Sequence, residues 1–412
     1  MIGFFKQGLF HVLILLVFSF PVFAQNTPWW LSLEQGKLKF RNRDYGGALM
    51  SFEDARRQRK AVYEQMERDF INLLSINEVR RLGDTLDRID NYSRDRHYIA
   101  ATAALEELYY RMPKDSFRNS AGAALKAFNF LKDYPEAEYW IGEVYRVEGE
   151  LQLALNQYRK AYDLRELLEN EDFAVELLYK TAGVSGVMRN YQEMIRVYNS
   201  IITGNDSLWT DAEKGDLSRL AQTAEDDPGK RPAIPYAQAS ASFAVNAMTN
   251  TLATNGIDRF LELYRYNNHV VEKAHRELGF YHELYGQPSA VQHLMFAFLI
   301  QNTLILEEIT RRQYDFKLTE DSLKQRMDNF TYVYLVKIAE EINKSDYLSS
   351  YAGEVEYYKT IYYLGTSLYR NGRTAIARNF WEFLSVIPQA GEWRGRAIRQ
   401  LGSPSLFNIN NP

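Results

Sequence analysis

The feature that most constrains this chain is a recurring spacing. From Gly142, a small residue follows at 12 (Ala154), an aromatic at 16 (Tyr158) and a second small residue at 19 (Ala161), with Gly149 at 7 interrupting the pattern. From Gly36 the same three offsets fall on Ala48, Phe52 and Ala55, with Asp44-Tyr45 at the turn. From Gly279 they fall on Val291, Met295 and Phe298, with Gly286 at the break; from Gly365 on Ala377, Trp381 and Leu384, with Gly372 at the break. A weaker copy starts at Ala182 and reaches Met194, Tyr198 and Ile201, with Asn190-Tyr191 at the turn. An amphipathic helix alone places apolar residues three or four apart. It does not return one four-term pattern at four separate glycines.

Such a period describes helical hairpins of about 34 residues, none of which can bury its apolar face alone. The glycine and the small residue let two helices approach closely, and the break residue permits a tight turn. The aromatic is expected to fill the space between one hairpin and the next. Gly142 and Gly279 are 137 residues apart, close to four periods, and Gly36 and Gly142 are 106 apart, three periods with a small excess. A further second-helix fragment reads Tyr98, Ala101, Leu105, Leu108, closed by Pro113. The pattern resembles the tetratricopeptide repeat (TPR) family. The resemblance implies an all-α fold: a TPR-like α-solenoid of helical hairpins, in two arrays joined by a Pro-containing linker. No alternating strand pattern of useful length competes with it.

The expected organisation is an export signal over 1–24, a first helical array over 25–205, a linker region over 206–236, a second array over 237–401 and a loose tail over 402–412. The linker rests on "AEDDPGKRPAIP" (224–235), whose prolines remove helix donors. Between Leu49 and Leu108 breakers are almost absent and charges alternate, which reads as an elongated second helix and its neighbour with solvated faces. A docking surface for a partner helix is the other reading of that segment.

At the N-terminus, Lys6 precedes the apolar run Leu9 to Phe20, and Val22-Phe23-Ala24 supplies a small-residue cleavage site. A cleaved signal implies a periplasmic protein; a retained N-terminal anchor is the alternative. No later segment reaches eighteen consecutive apolar residues, so no other membrane span is expected. The chain has no Cys, which excludes disulfides, thiolate nucleophiles, Cys metal sites and a lipid-modified N-terminal Cys. A net charge of −4 with mixed signs gives no electrostatic reason to expect nucleic acid.

Motifs for chemistry are missing. Six His are spread along the chain, with His275 and His282 seven apart on one helix face, and they match no metal-ligand motif. Gly46-Gly47 does not belong to a phosphate loop. Adjacent carboxylates such as Glu307-Glu308, Glu320-Asp321 and Glu340-Glu341 point different ways on a helix. Ser185 in "GVSGV" lacks the nucleophile-elbow spacing. The expectation is no enzyme, no cofactor and no metal, with histidines on surfaces or in helix packing.

What remains is a binding face. In the TPR family the first helix of each hairpin lines the concave surface. Carried over by the same origins, that implies partner contacts from Trp30, Leu33, Lys37, Phe40 and Arg41 in the first hairpin and Tyr139, Glu143 and Arg146 in the Gly142 hairpin. The Gly279 hairpin adds Lys273, Arg276, Phe280 and Glu283; the Gly365 hairpin adds Tyr362, Thr366, Tyr369 and Arg370. Aromatics and Arg favour protein interfaces, but for Tyr139 and Tyr362 groove and core are equally open. The recurring Lys/Arg/Asn set of the family's carboxylate clamp is not present.

The stretches "LEQGKLKFRNRDYGGALMSFEDARRQR", "LLSINEVRRLGDTLDRID" and "YPEAEYWIGEVYRVEGELQLALNQYRKAYDLRELLE" are similar to spirochaete periplasmic TPR proteins, some of them associated with the collar around the periplasmic flagellar motor. This resemblance implies a scaffold or adaptor that binds other envelope proteins, flagellar motor or collar components among them, as a homo- or hetero-oligomer. The alternative is an envelope-biogenesis factor that recognises outer-membrane proteins or peptidoglycan-associated partners.

Overall fold

The computed structural model describes residues 28–75, 132–170, 172–205, 241–313 and 332–404. Among them the secondary structure is helical and no strand occurs. The expected signal at 1–24, the Tyr98 to Pro113 fragment and the linker at 206–236 lie outside the described residues. The chain divides into two compact units, Met1–Asn190 and Tyr191–Pro412.

In the first unit, α1 (Trp29–Arg41) and α2 (Tyr45–Ser75) form one hairpin, and α3 (Pro135–Glu148) and α4 (Leu151–Asp163) form another; α5 (Phe173–Val187) packs on α4, and α3 on α2. At 31 residues, α2 is the elongated second helix read from the sequence. Pro135 opens α3 at a position where its missing N–H costs nothing, and Glu136 and Glu138 follow in the first turn, where the helix dipole favours them. Trp29, Leu33, Phe52, Tyr134 and Ile141 build the core between the two hairpins.

The second unit comprises α6 (Tyr191–Asn205), α7 (Ala241–Leu263), α8 (His269–Leu284), α9 (Ser289–Arg312), α10 (Val333–Lys344), α11 (Asp346–Glu354), α12 (Tyr357–Arg370), α13 (Thr374–Val386) and α14 (Glu392–Gly402). Its hairpins are α8–α9 and α12–α13; α12 also packs on α9, and α14 on α13. Helix α7 breaks at Gly256, whose φ of 77° and ψ of 177° are not helical. The division between units falls ahead of the break expected at 206–236, because α6 packs on α8. Helix α9 is long and apolar enough to cross a membrane by length and composition alone, yet 83% of an apolar 18-residue stretch of it is buried inside the protein, as befits a core helix.

The glycine spacing has a direct packing cause. A Cβ on Gly36 would lie 2.4 Å from the Phe52 ring, and one on Gly142 would lie 2.7 Å from the Tyr158 ring. On Gly365 it would meet Trp381 at 2.8 Å, and on Gly279 it would meet Leu294, one residue before Met295, at 2.7 Å. In three hairpins the large residue at offset 16 therefore lies over the glycine of its own hairpin, and in the Gly279 hairpin Leu294 does; Phe52 also stacks on Trp140 of the following hairpin at 5.8 Å, in the space between hairpins as expected. Phe52, Tyr158, Met295 and Trp381 are all fully buried. A buried side chain of this kind contributes about 1.5–3 kcal/mol from area alone.

The break position is equally regular. Seven residues after each origin the backbone is left-handed: Arg43 (φ 63°), Gly149 (85°), Arg189 (60°), Gly286 (66°) and Gly372 (76°). Each of these N–H groups donates to the carbonyl three residues back, and the next N–H to the carbonyl five back. Examples are Gly149 to Arg146 (3.3 Å) with Glu150 to Tyr145 (2.8 Å), and Arg43 to Phe40 (3.0 Å) with Asp44 to Lys39 (3.0 Å). This paired bond closes a helix by satisfying carbonyls that the helix itself leaves open.

Candidate functional site

First helices of successive hairpins meet in one register. The residue after the glycine touches the residue two before the next origin. Lys37 Nζ lies 5.9 Å from the Trp140 ring centre, Lys180 Nζ lies 3.1 Å from Glu143 Oε1, and the Phe280 and Tyr363 rings are 5.3 Å apart. Phe40 also packs edge-on to Trp140 at 5.5 Å, and the Tyr139 hydroxyl donates to Glu176 at 3.0 Å. In the first unit α1, α3 and α5 thus lie in sequence as neighbours; in the second unit α8 neighbours α12. The row continues from Tyr363 to Trp393 of α14 at 5.7 Å, with Lys359 over Phe280 and Arg396 over Trp393.

Trp140, Lys180, Lys359, Tyr363 and Trp393 were not singled out in the sequence. For three of them the signal was available: Trp140, Lys180 and Tyr363 all stand two residues before an origin.

The expected partner-binding residues separate by burial. Trp30, Arg41, Arg146 and Lys273 are exposed, and Lys37, Phe40, Phe280, Tyr369 and Arg370 are half-buried. Tyr139, Glu143, Arg276, Glu283, Tyr362 and Thr366 are buried, as is Leu33, and cannot offer their side chains to a partner on this surface. For Tyr139 and Tyr362 the core reading holds. Tyr139 packs on Phe173 at 4.6 Å, and Tyr362 on Trp393 at 5.4 Å. At five residues past the origins, where Arg41 and Arg370 also stand, Val147, Val187 and Leu284 remain exposed.

The buried polar residues join hairpins to each other. Glu143 accepts from Arg146 at 2.9 Å, from Lys180 of α5 and from the Tyr158 hydroxyl. Burial pushes its carboxyl up, but Arg146, Tyr158 and Lys180 outweigh this and hold its pKa below the usual range. Fully buried Glu138 receives Arg56 of α2 at 3.2 Å and Lys160 of α4 at 2.6 Å. In the second unit Glu283 of α8 accepts from Ser367 (2.6 Å) and Arg370 (3.2 Å) of α12. Arg276 bonds Glu272 at 3.1 Å and reaches Glu356 at the start of α12. Burial raises the Glu283 and Glu272 carboxyls, and their partners offset only part of it. Removing one partner of such a pair strands the other in a dry environment. These side chains therefore act in assembly of the fold.

A cavity of about 510 Å³ opens where α11 ends and α12 and α14 begin, lined among others by Glu356, Tyr358, Lys359, Glu392 and Trp393. Its carboxylates are already paired, Glu356 with Arg276 and Lys359 and Glu392 with Arg396. Three histidines lie in helix packing: His275, His282 and His293 come together in the α8–α9 hairpin. Among the described residues no group of three or more His, Asp or Glu is arranged to hold a metal ion.

No family model matches this chain. A protein of Treponema pallidum (strain Nichols), described as "Uncharacterized protein", is 23% identical over 380 residues, which cover 91% of this chain and 89% of that protein.

Proposed function

We propose that the chain is an exported, periplasmic scaffold or adaptor of TPR type, in which successive hairpins form an α-solenoid and the first-helix face receives other envelope proteins. The carrying observation is that five helices end in the same left-handed turn, four of them in packed hairpins, with first helices meeting in one register. A stack of this kind offers an extended surface instead of a catalytic cleft. The exposed side chains on its first helices, Trp30, Arg41, Val147, Arg146, Lys273 and Leu284, mix aromatic, Arg and aliphatic character, as interfaces do. The relative in Treponema pallidum matches nearly end to end, so the whole chain, and not one hairpin, is the unit to be tested.

The test is affinity purification of the full chain from envelope membranes, with partners identified by mass spectrometry. Flagellar motor or collar components support the reading. Recovery of outer-membrane assembly or peptidoglycan-associated proteins in their place would redirect it to envelope biogenesis.

A further inference from the structure

Three histidines form a continuous stack in the α8–α9 hairpin. His275, in the middle of α8, is fully buried and stacks on Phe296 with ring centres 5.1 Å apart. His293, near the start of α9, is 5% exposed, and its Nδ1 lies 3.1 Å from Nδ1 of His275. Half-buried His282 stacks on His293 at 5.4 Å with ring planes 18° apart, while its own Nδ1 meets the Gln287 side chain in the hairpin turn.

We propose that this stack is an acid-sensitive latch, closed while the three rings are neutral and opened by their protonation, which frees the apolar face of α9.

The geometry carries the argument. Two Nδ1 atoms at 3.1 Å share one hydrogen, so one ring donates and the other accepts. A first proton makes one ring a cation that can still donate to its neutral neighbour; a second, one on each ring, replaces that bond with two N–H groups facing each other. Both rings would then be cations in a site from which water is excluded, with His282 a third cation stacked beside them. Their own helix supplies little relief: between Ser289 and Leu306, α9 has no Asp, Glu, Lys or Arg.

Charged groups on the packed elements are engaged in other pairs. On α8, Glu272 and Glu277 bond Arg276, and Glu283 bonds Arg370 of α12. Glu356, at the start of α12, bonds Arg276 and Lys359. On α6, Glu193 bonds Arg196, Tyr191 packs on Tyr281 and Tyr285, and Tyr198 lies within the field of Glu277 and Arg276.

Burial lowers the pKa of His275 to about 3. Burial, then the charges of His275 and His282, push His293 well below its ordinary value; burial also lowers His282, against the Gln287 bond. An opened hairpin would take up protons from about pH 6.5 downward while the closed one does not. Each ring then shifts the balance toward opening by up to tenfold per pH unit, and three by up to a thousandfold. Glu272 and Glu283, whose carboxyls burial raises, oppose this, since the closed form protonates them more readily. What opening exposes is Leu294, Phe296 and Phe298, buried in the closed hairpin.

The test is hydrogen exchange of the full chain at pH 7.5, 6.5 and 5.5, expressed as protection factors so that intrinsic pH dependence cancels. Protection of α8–α9 amides should fall at least tenfold per pH unit below 6.5, while α3–α4 amides hold theirs. His282→Gln, at the half-buried end, should fold and shrink the acid response by up to one tenfold step per pH unit; His293→Gln should shrink it further. An equal acid response in wild type and both variants overturns the latch. So does an α8–α9 protection that is constant from pH 7.5 to 5.5, or one lost in step with α3–α4. If His293→Gln does not fold, His282→Gln decides alone.

Discussion

Arg43 holds the place in the turn after α1 that Gly149 holds after α3: both are left-handed, at φ 63° and 85°, and both start the same pair of closing hydrogen bonds. An L-residue in this conformation brings its Cβ close to the backbone, at a cost of roughly 1–2 kcal/mol, whereas glycine escapes it. Arg43→Gly and Arg189→Gly are each expected to stabilise the protein by about 0.5–1 kcal/mol after the entropy of a glycine is set against the relief of strain. Gly149→Ala should cost about 1 kcal/mol. Thermal denaturation of the three variants checks the sign; a loss of stability in both Arg variants would show that those side chains contribute more than the strain they impose.

Overpacking separates glycines with a packing role from those without one. Gly142→Ala would put a Cβ 2.7 Å from the Tyr158 ring, and Gly36→Ala one at 2.4 Å from Phe52. Each is expected to cost about 1–3 kcal/mol. Gly183 in α5 has nothing within 4 Å of the added Cβ, so Gly183→Ala should gain about 0.5–1 kcal/mol from helix propensity alone. Urea midpoints that fall for the first two and rise for the third would match the contacts.

Glu143 ties three elements together, so its loss should be felt in acid-dependent form. Glu143→Ala leaves the buried Tyr158 hydroxyl without its acceptor and should cost about 1–3 kcal/mol. The folded-state pKa of this carboxyl is below its ordinary 4.5. Its contribution is therefore complete above pH 4.5 and lost as pH falls through the folded value. The difference in melting temperature between wild type and Glu143→Gln should be full at pH 7 and narrow at pH 3.5. A difference that stays constant with pH would remove the ionic part of the account.

Binding and folding can be tested apart, because exposure separates the face from the core. Trp30→Ala, Arg41→Glu, Lys273→Glu and Leu284→Ala act on exposed side chains and should each change stability by less than about 0.5 kcal/mol, while together they abolish co-purification of envelope partners. Tyr362→Ala, at 1% exposure, should instead cost about 3 kcal/mol and lower the helical circular dichroism on heating. Partners retained by the fourfold variant would move the interface away from the first-helix face.

The local periodicity of this sequence was enough to determine the hairpins. A glycine at the origin and a large residue at 15 or 16 are partners within one hairpin, so helix geometry makes their meeting readable from spacing. The turn position at 7 was readable where glycine occupies it. At Arg43 and Arg189 it was not, since arginine has no preference for the left-handed region and the closing bonds alone hold it there.

Only the tertiary structure decided which polar residues face solvent. Glu138 and Arg56 are 82 residues apart, Glu283 and Arg370 are 87 apart, and nothing in a repeat period distinguishes such a buried pair from two solvated charges. The same holds for the histidines: His275 and His282 share a helix face by spacing, but His293 joins them from the next helix only when the hairpin closes. Periodicity reports which way a residue points relative to its own helix; burial depends on which other helix arrives to cover it.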